Sequence, residues 1–273
     1  MNTGIRISLV LWYLWACIRY RAVPWYYFHL NSLFFNPEKG IFSKLEMDAL
    51  IPEPWRLPQY YFHPEKLPAR YPVFIKPEWG QNANGIVRAD NQRAYRAFER
   101  TAASCDIPFI VQAAAPGRQE FEIYYLRSSE HGEAYQFLSV THVTNTCITA
   151  FPVNSIHNPC TRYEEVTNDL DHTALETLWG FMKQIGRFRM ARVGVKADNL
   201  FALISGRFHV VEINLFLPMP LVLLSCNVPL WKKNRIMQQT MSSAARLART
   251  VPRFETREPV FFPKMKAHCK VIP

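Results

Sequence analysis

The chain has 273 residues, of which 49% are hydrophobic and 20% charged, enough to build a sizeable core and too apolar for a disordered or low-complexity protein. Its net charge is +10, and ten Lys/Arg against two Glu between Ser225 and Pro273 put most of the excess near the C-terminus, which suits an acidic partner, a carrier protein or a solvated basic helix and tail. Six cysteines without a Cys-x-x-Cys favour reduced thiols in a cytoplasmic protein over a disulfide framework, and no specific nucleic-acid partner is expected.

At the N-terminus, "ISLVLWYLWACI" (7–18) supplies about a dozen apolar residues where a bilayer span needs about 20. No small-x-small cleavage site follows, and "LWAC" places bulky Trp15 where a lipoprotein site wants a small residue. The segment reads as a packed or interfacial helix, and the flanking Arg6, Arg19 and Arg21 allow peripheral membrane contact. "FFNPEKG" (34–40) is a turn. "SKLEMDAL" (43–50) predicts a short helix, with Ser43 as N-cap and Glu46 at the capping-box spacing. Three prolines make 51–58 a loop.

A strand over 72–76 ends on Lys76, followed by a polar loop containing Gly80 and Gly85 and a strand-like "GIVRA". A helix is predicted over 91–104, capped by Asp90 or Asn91. "FIVQAAAPG" (109–117) is a strand running into a turn, and "EFEIYYLR" (120–127) alternates with the strand period of two. Residues 135–151 read as one or two strands. They begin a scattered set of metal-ligand types, His142, Cys147, His157 and Cys160, whose spacing matches no standard zinc pattern; ordinary strand and loop residues are the simpler reading. A helix over 171–188, strands over 191–197 and 207–216 with a helical turn between them, and a helix over 229–249 complete an α+β chain of antiparallel sheets and flanking helices.

Three stretches carry chemistry. Lys76 is a cation at the end of a buried strand and needs an anion nearby; a loop of backbone N–H groups beside it suits phosphate, although no Gly-Lys-Ser/Thr makes it a Walker A loop. On 207–216, Glu212 and Asn214 lie two apart and share a face, presenting hard oxygen ligands for magnesium, while Val211, Ile213 and Leu215 are expected to face a core. On 120–127, Glu120, Glu122 and Tyr124 share a face, where a carboxylate suits a ribose hydroxyl, the ordering of the phosphate lysine Lys76 or, equally, a cross-strand salt bridge. Arg127 falls on the opposite face unless a bulge intervenes.

Taken together these stretches resemble the ATP-grasp superfamily, in its D-alanine–D-alanine ligase-like branch. "YPVFIKP" is similar to its phosphate-lysine strand and "EWGQNANGI" to its glycine-rich loop; "FIVQAAAPGRQEFEIYYLR" is similar to its adenine-holding linker and following strand, and "ARVGV" with "VVEIN" to its paired magnesium strands. The resemblance spans roughly 34–225 and implies two α+β subdomains gripping the nucleotide between antiparallel sheets. The divisions are a short N-terminal segment (1–42), an N-terminal subdomain (43–110), a C-terminal subdomain (111–225) and a basic helix and tail (226–273). It implies ATP and Mg as cofactors, with Lys44 and Lys76 on phosphates, Gly80 and Gly85 in the loop, Gln112 and Glu120 at the nucleoside, and Glu212 and Asn214 on magnesium. Arg192 would stabilise the transferring phosphoryl group and Arg127 would receive a substrate carboxylate.

The chain departs from the pattern in three places. Where Arg-x-Asp is wanted it has Arg192-Val193-Gly194, and the next carboxylate, Asp198, stands about 13 Å further along a strand as the remaining candidate ligand. The linker has Gln112 where a glutamate is usual. About 35 residues precede the opening segment, too few for the usual N-terminal substrate domain.

The activity so implied is ATP-dependent ligation of a carboxylate to an amine or other nucleophile through an acyl phosphate, with small-molecule substrates. The alternatives are a catalytically impaired nucleotide-binding protein, given Gly194, and an interaction module working through the N-terminal helix or the basic tail.

Overall fold

The computed structural model describes residues 3–80, 83–105, 107–129, 133–147, 152–251 and 260–264. Two antiparallel sheets organise the chain. The first has the order β1-β4-β2-β3 and is built from β1 (Gln59–Tyr61), β2 (Val73–Pro77), β3 (Val87–Ala89) and β4 (Phe109–Ala113). The second has the order β7-β6-β5-β8-β9, from β5 (Gln119–Arg127), β6 (Tyr135–Asn145), β7 (Thr161–Glu165), β8 (Met190–Ala197) and β9 (Phe208–Asn214).

Local sequence explains most elements. The short α2 (Lys44–Asp48) starts where expected, with the Ser43 hydroxyl accepting from the Glu46 N–H at 3.4 Å. The expected helix over 91–104 is two short ones, α3 (Gln92–Ala97) and α4 (Glu99–Ala103), broken at Phe98; Asn91 is the N-cap. Asp171 caps α5 (His172–Ile185) and Asn199 caps α6 (Leu200–Ile204) in the same way. The residues 135–145 form one strand; 148–151, which the expected strand also covered, lie outside the described residues. The three-residue β1 and the mixed, half-exposed β7 were not read as strands, because neither has a sustained period-two pattern.

The second sheet is apolar on both faces for part of its length. Phe121, Ile123 and Tyr125 of β5, with Val193 and Val195 of β8, pack against α5 and α6 in the main core. Tyr124, Leu126 and Met190 face the other way, onto α1 (Thr3–Tyr20) and α7 (Leu230–Arg249). The expected N-terminal helix is therefore a packed one. It buries Tyr13, Ala16 and Cys17 and is pinned to α7 by a 2.9 Å hydrogen bond from Trp12 Nε1 to Asn234 Oδ1. Its outer face still exposes Leu11 (61%) and Ile18 (79%). Among the described residues, no helix is long and apolar enough to cross a membrane.

The expectation of reduced thiols is corrected at one pair: Cys147 and Cys160 form a disulfide closing the connection between β6 and β7. The two are 13 apart in sequence, and the β6–β7 pairing brings them together. That removes both from the metal-ligand set. His142 instead stacks on Phe121 and lies 3.8 Å from Glu164. Cys17, Cys105 and Cys226 are free thiols. Much of the basic tail, 252–259 and 265–273, lies outside the described residues.

Candidate functional site

The two sheets meet edge to face, and the meeting point is polar. Lys76, on β2, is 5% exposed; its ammonium donates to Gln112 Oε1 on neighbouring β4 at 2.5 Å and to the Val211 carbonyl of β9 at 3.3 Å. Gln112 Nε2 also donates to Val211 O, at 3.1 Å. Val211 can accept these bonds because it is the extra residue of a β-bulge: Gly194 pairs with Glu212 but Val195 with Val210. The expectation that Val211 faces the core is thereby corrected. Val210 takes that place, and the shifted register presents the Val211 carbonyl to the site.

Lys44, at the start of α2, donates to the Pro77 carbonyl at 3.0 Å. Burial lowers the proton affinity of Lys44, with Glu212 pulling the other way; burial and then Lys44 lower that of Lys76, to about 8, again against Glu212. Glu212 is buried, which by itself would raise its pKa. Lys44, Lys76 and Arg192 together outweigh that and hold the carboxyl below its ordinary range. Lys44 and Lys76 are thus cations whose charge burial disfavours, with Glu212 the carboxylate that acts most strongly on both and Glu120 and Asp48 adding to its pull on Lys76.

On β8 and β5, period two places Arg192, Gly194 and Lys196 beside Tyr124, Glu122 and Glu120. Arg192 Nε lies 3.2 Å from Glu122 Oε2, in ionic contact without hydrogen-bond alignment, and neither atom has another partner. Burial pushes the Glu122 carboxyl up to about 7 against the pull of Arg192, with Glu120 and Glu212 adding to the rise. A Cβ placed on Gly194 would stand 3.1 Å from Glu122 Oε1. The carboxylate missing from position 194 is thus replaced in space by Glu122 from the adjacent strand. Glu120 accepts from Asn154 Nδ2 at 3.0 Å and lies 3.6 Å from Lys196. Asn214 Nδ2 is buried without a partner.

Among the described residues no three His, Cys, Asp or Glu form a ready metal cage. Magnesium does not need one: it takes one or two carboxylates and completes its shell with water and phosphate oxygens. The carboxylates of Glu212 and Glu122 and the side-chain oxygen of Asn214, all lining one cavity, fit that chemistry.

Two expected residues lie elsewhere. Arg127 is on the core side of β5, past a register shift. Its guanidinium donates to the Phe188 and Gly186 carbonyls at 3.1 Å each and covers the Trp179 ring, so it is in no position to receive a substrate carboxylate. Asp198, past the end of β8, is two-thirds exposed and 3.9 Å from Arg118; it is too far along the strand to join Glu212. Of the glycine loop, Gly80 and Gly85 are described and Gln81–Asn82 are not; Gly85 holds φ +74°, and Ala83 and Ile86 line the cavity.

The structure adds residues not assigned a role from sequence. Lys196 follows from the strand period once the pairing of β5 with β8 is known, and the same pairing sets Glu122, one of the carboxylates already read on that face, beside Gly194. Lys264 carried no local signal. It is 6% exposed, its ammonium 5.5 Å from the centroid of the Trp79 ring that opens the glycine loop, and burial with Lys44 nearby lowers it to about 8. Lys76, Gln112, Glu120, Glu122, Arg192, Lys196, Glu212 and Asn214 line a cavity of about 830 Å³, and Lys44 lines a small pocket that shares Lys76, Gln112 and Glu212 with it.

No protein-family model and no curated protein matches the sequence. Solved structures do. The D-Ala:D-Ser ligase VanG from Enterococcus faecalis superposes with a TM-score of 0.50 at 15% identity, covering 76% of this chain and 61% of that one. A D-alanine–D-alanine ligase from Bacillus anthracis complexed with ATP gives 0.47 at 13% identity over 75% of this chain and 67% of its own. An L-amino acid ligase from Bacillus licheniformis gives 0.39 at 16% over 63% of this chain, which spans only 40% of that enzyme. The two antiparallel sheets and this superposition give the chain the ATP-grasp fold.

Proposed function

We propose that this ATP-grasp-fold chain is an ATP-dependent ligase that activates a carboxylate and couples it to an amine or related nucleophile. The observation that carries the reading is the convergence of Lys44, Lys76 and Arg192 on Glu212, Lys76 and Arg192 in the main cavity and Lys44 in the small pocket that adjoins it at Lys76 and Glu212, a cluster of cations drawn out of water that a polyphosphate would satisfy. Phosphoryl transfer asks a protein mainly to position and to neutralise charge. Lys44 and Lys76 hold phosphate oxygens. Arg192, in the cavity lining with its Nε held against Glu122, offers its guanidinium charge to the transferring group. Glu212, Asn214 and Glu122 would hold magnesium, which supplies further neutralisation of phosphate charge when bound. A substrate carboxylate oxygen bonds to the γ-phosphorus, the bond to the β–γ bridging oxygen breaks, and ADP leaves. The nucleophile then bonds to the acyl carbon as phosphate departs with the electron pair and takes up the proton that the nucleophile loses.

Gly194 favours a second reading, a nucleotide-binding protein without turnover; the position of Glu122 in its place favours the first. Calorimetric titration with ATP, with and without magnesium and beside Lys76→Ala, followed by ADP release on a panel of carboxylates and amines, separates them. Magnesium-dependent binding lost in the variant is expected. Absence of ATP binding under every condition removes both readings.

A further inference from the structure

The cavity is too large and too one-sidedly apolar for a nucleotide alone. Lys76, Arg192 and the carboxylates line one part of it; the apolar part is walled by Leu9 and Tyr13 of α1, Trp25 and Phe28 of the turn that follows, Met241 of α7 and Met219 beyond β9, whose carbonyl accepts from Arg192 Nη1 at 3.5 Å where the two parts join. None of these belongs to the two sheets. α1 is thus part of the wall of the cavity. Its one charged contribution to the lining is Arg6, and the Tyr13 hydroxyl is spent on the Pro24 carbonyl at 3.0 Å.

From this we infer that the carboxylate substrate is amphiphilic: a carboxylic acid with a sizeable alkyl or aryl body. The inference rests on the ligase reading and names its substrate class. A small polar acid would leave the apolar arm unfilled, and a large polar one would bury hydrogen-bonding groups with no partners there. An apolar body fills the arm and brings the carboxylate to the Arg192 end. Unbranched methionines at 219 and 241 let the wall adapt to the shape of the chain.

A series of butanoate, hexanoate and octanoate, titrated with magnesium and a non-hydrolysable ATP analogue and followed by tryptophan fluorescence with Trp25 on the wall, tests this. Each added methylene seated in the arm raises affinity about fourfold, with saturation at one acid per chain. Met219→Gln, polar at similar volume, flattens the series. Leu11→Gln, on the exposed face of α1 and outside the cavity, leaves it unchanged. Affinities equal within about twofold across the series, or a series abolished by Leu11→Gln and untouched by Met219→Gln, overturn the inference. ATP binding without acid binding overturns it while the ligase reading stands. Acid binding without ATP binding keeps the arm as a binding site and removes its role in ligation.

Discussion

Lys264 is a cation that the ligand-free fold buries at a cost. Burial, and then the charge of Lys44, bring its proton affinity down from 10.5 to about 8. Among the described residues its contacts are the Trp79 ring and the Lys44 charge, and no carboxylate faces it. The folded chain therefore holds fewer protons here than the unfolded chain between pH 8 and 10.5. Stability rises with pH across that window, and below pH 8 the penalty is fully present. At 1.36 kcal/mol per pKa unit the penalty is on the order of 3 kcal/mol, an upper figure because the cation–π contact is retained. Lys264→Met, which keeps the alkyl stem, is expected to stabilise the ligand-free protein by about 1–3 kcal/mol at pH 7 and to remove that share of the rise toward pH 10. Urea denaturation at pH 7 and pH 10 measures both. Tripolyphosphate should reverse the ranking, stabilising the native chain more than the variant. A variant that is less stable at pH 7, with an unchanged pH slope and unchanged response to tripolyphosphate, would refute the view that Lys264 is a cation kept for a phosphate.

Lys76→Ala removes a charge-assisted contact of about 1.5–3 kcal/mol, so ATP affinity by calorimetry should fall about 10- to 100-fold. Gly194→Asp pushes a second carboxylate into the space of Glu122 and is expected to lower magnesium-dependent ADP release at least about tenfold; Glu122→Gly in the same chain should restore part of it, since one carboxylate then remains at the shared point. If the double variant is worse than either single one, the two positions do not substitute for each other. Replacing Cys160 by Ser opens a short covalent loop and should cost about 2–3 kcal/mol in urea denaturation without changing ATP affinity. Arg127→Met should leave ATP affinity unchanged and lower stability, because the lost partners are backbone carbonyls in the core.

Much of the fold was legible because its signals are local. Period-two alternation marked β5 and β9, Ser43 and Asn91 marked helix starts, and Lys76 ending an apolar strand marked a buried cation in search of an anion. Those residues alone also paired Glu212 with Asn214. What a strand carries on each face, however, depends on an unbroken register. One bulged residue between Val210 and Glu212 exchanged Val211 for Val210 in the core and turned a carbonyl toward Lys76. The loss of a carboxylate at Gly194 looked like a defect along the chain; only the pairing of β5 with β8 shows that Glu122 fills the gap. Arg127, Asp198 and the Cys147–Cys160 bridge follow the same rule, since strand end, sheet face and neighbouring strand are set by contacts between residues far apart in sequence. Lys264 is the extreme case: nothing in its neighbours in the chain foretells a site that it enters from 220 residues beyond Lys44. Sequence by itself determined the longer strands and helices and marked Lys76 as a charge carried into the interior, because those depend on local period and propensity. Tertiary structure decided which charges meet, because burial and pairing are properties of the packed sheets.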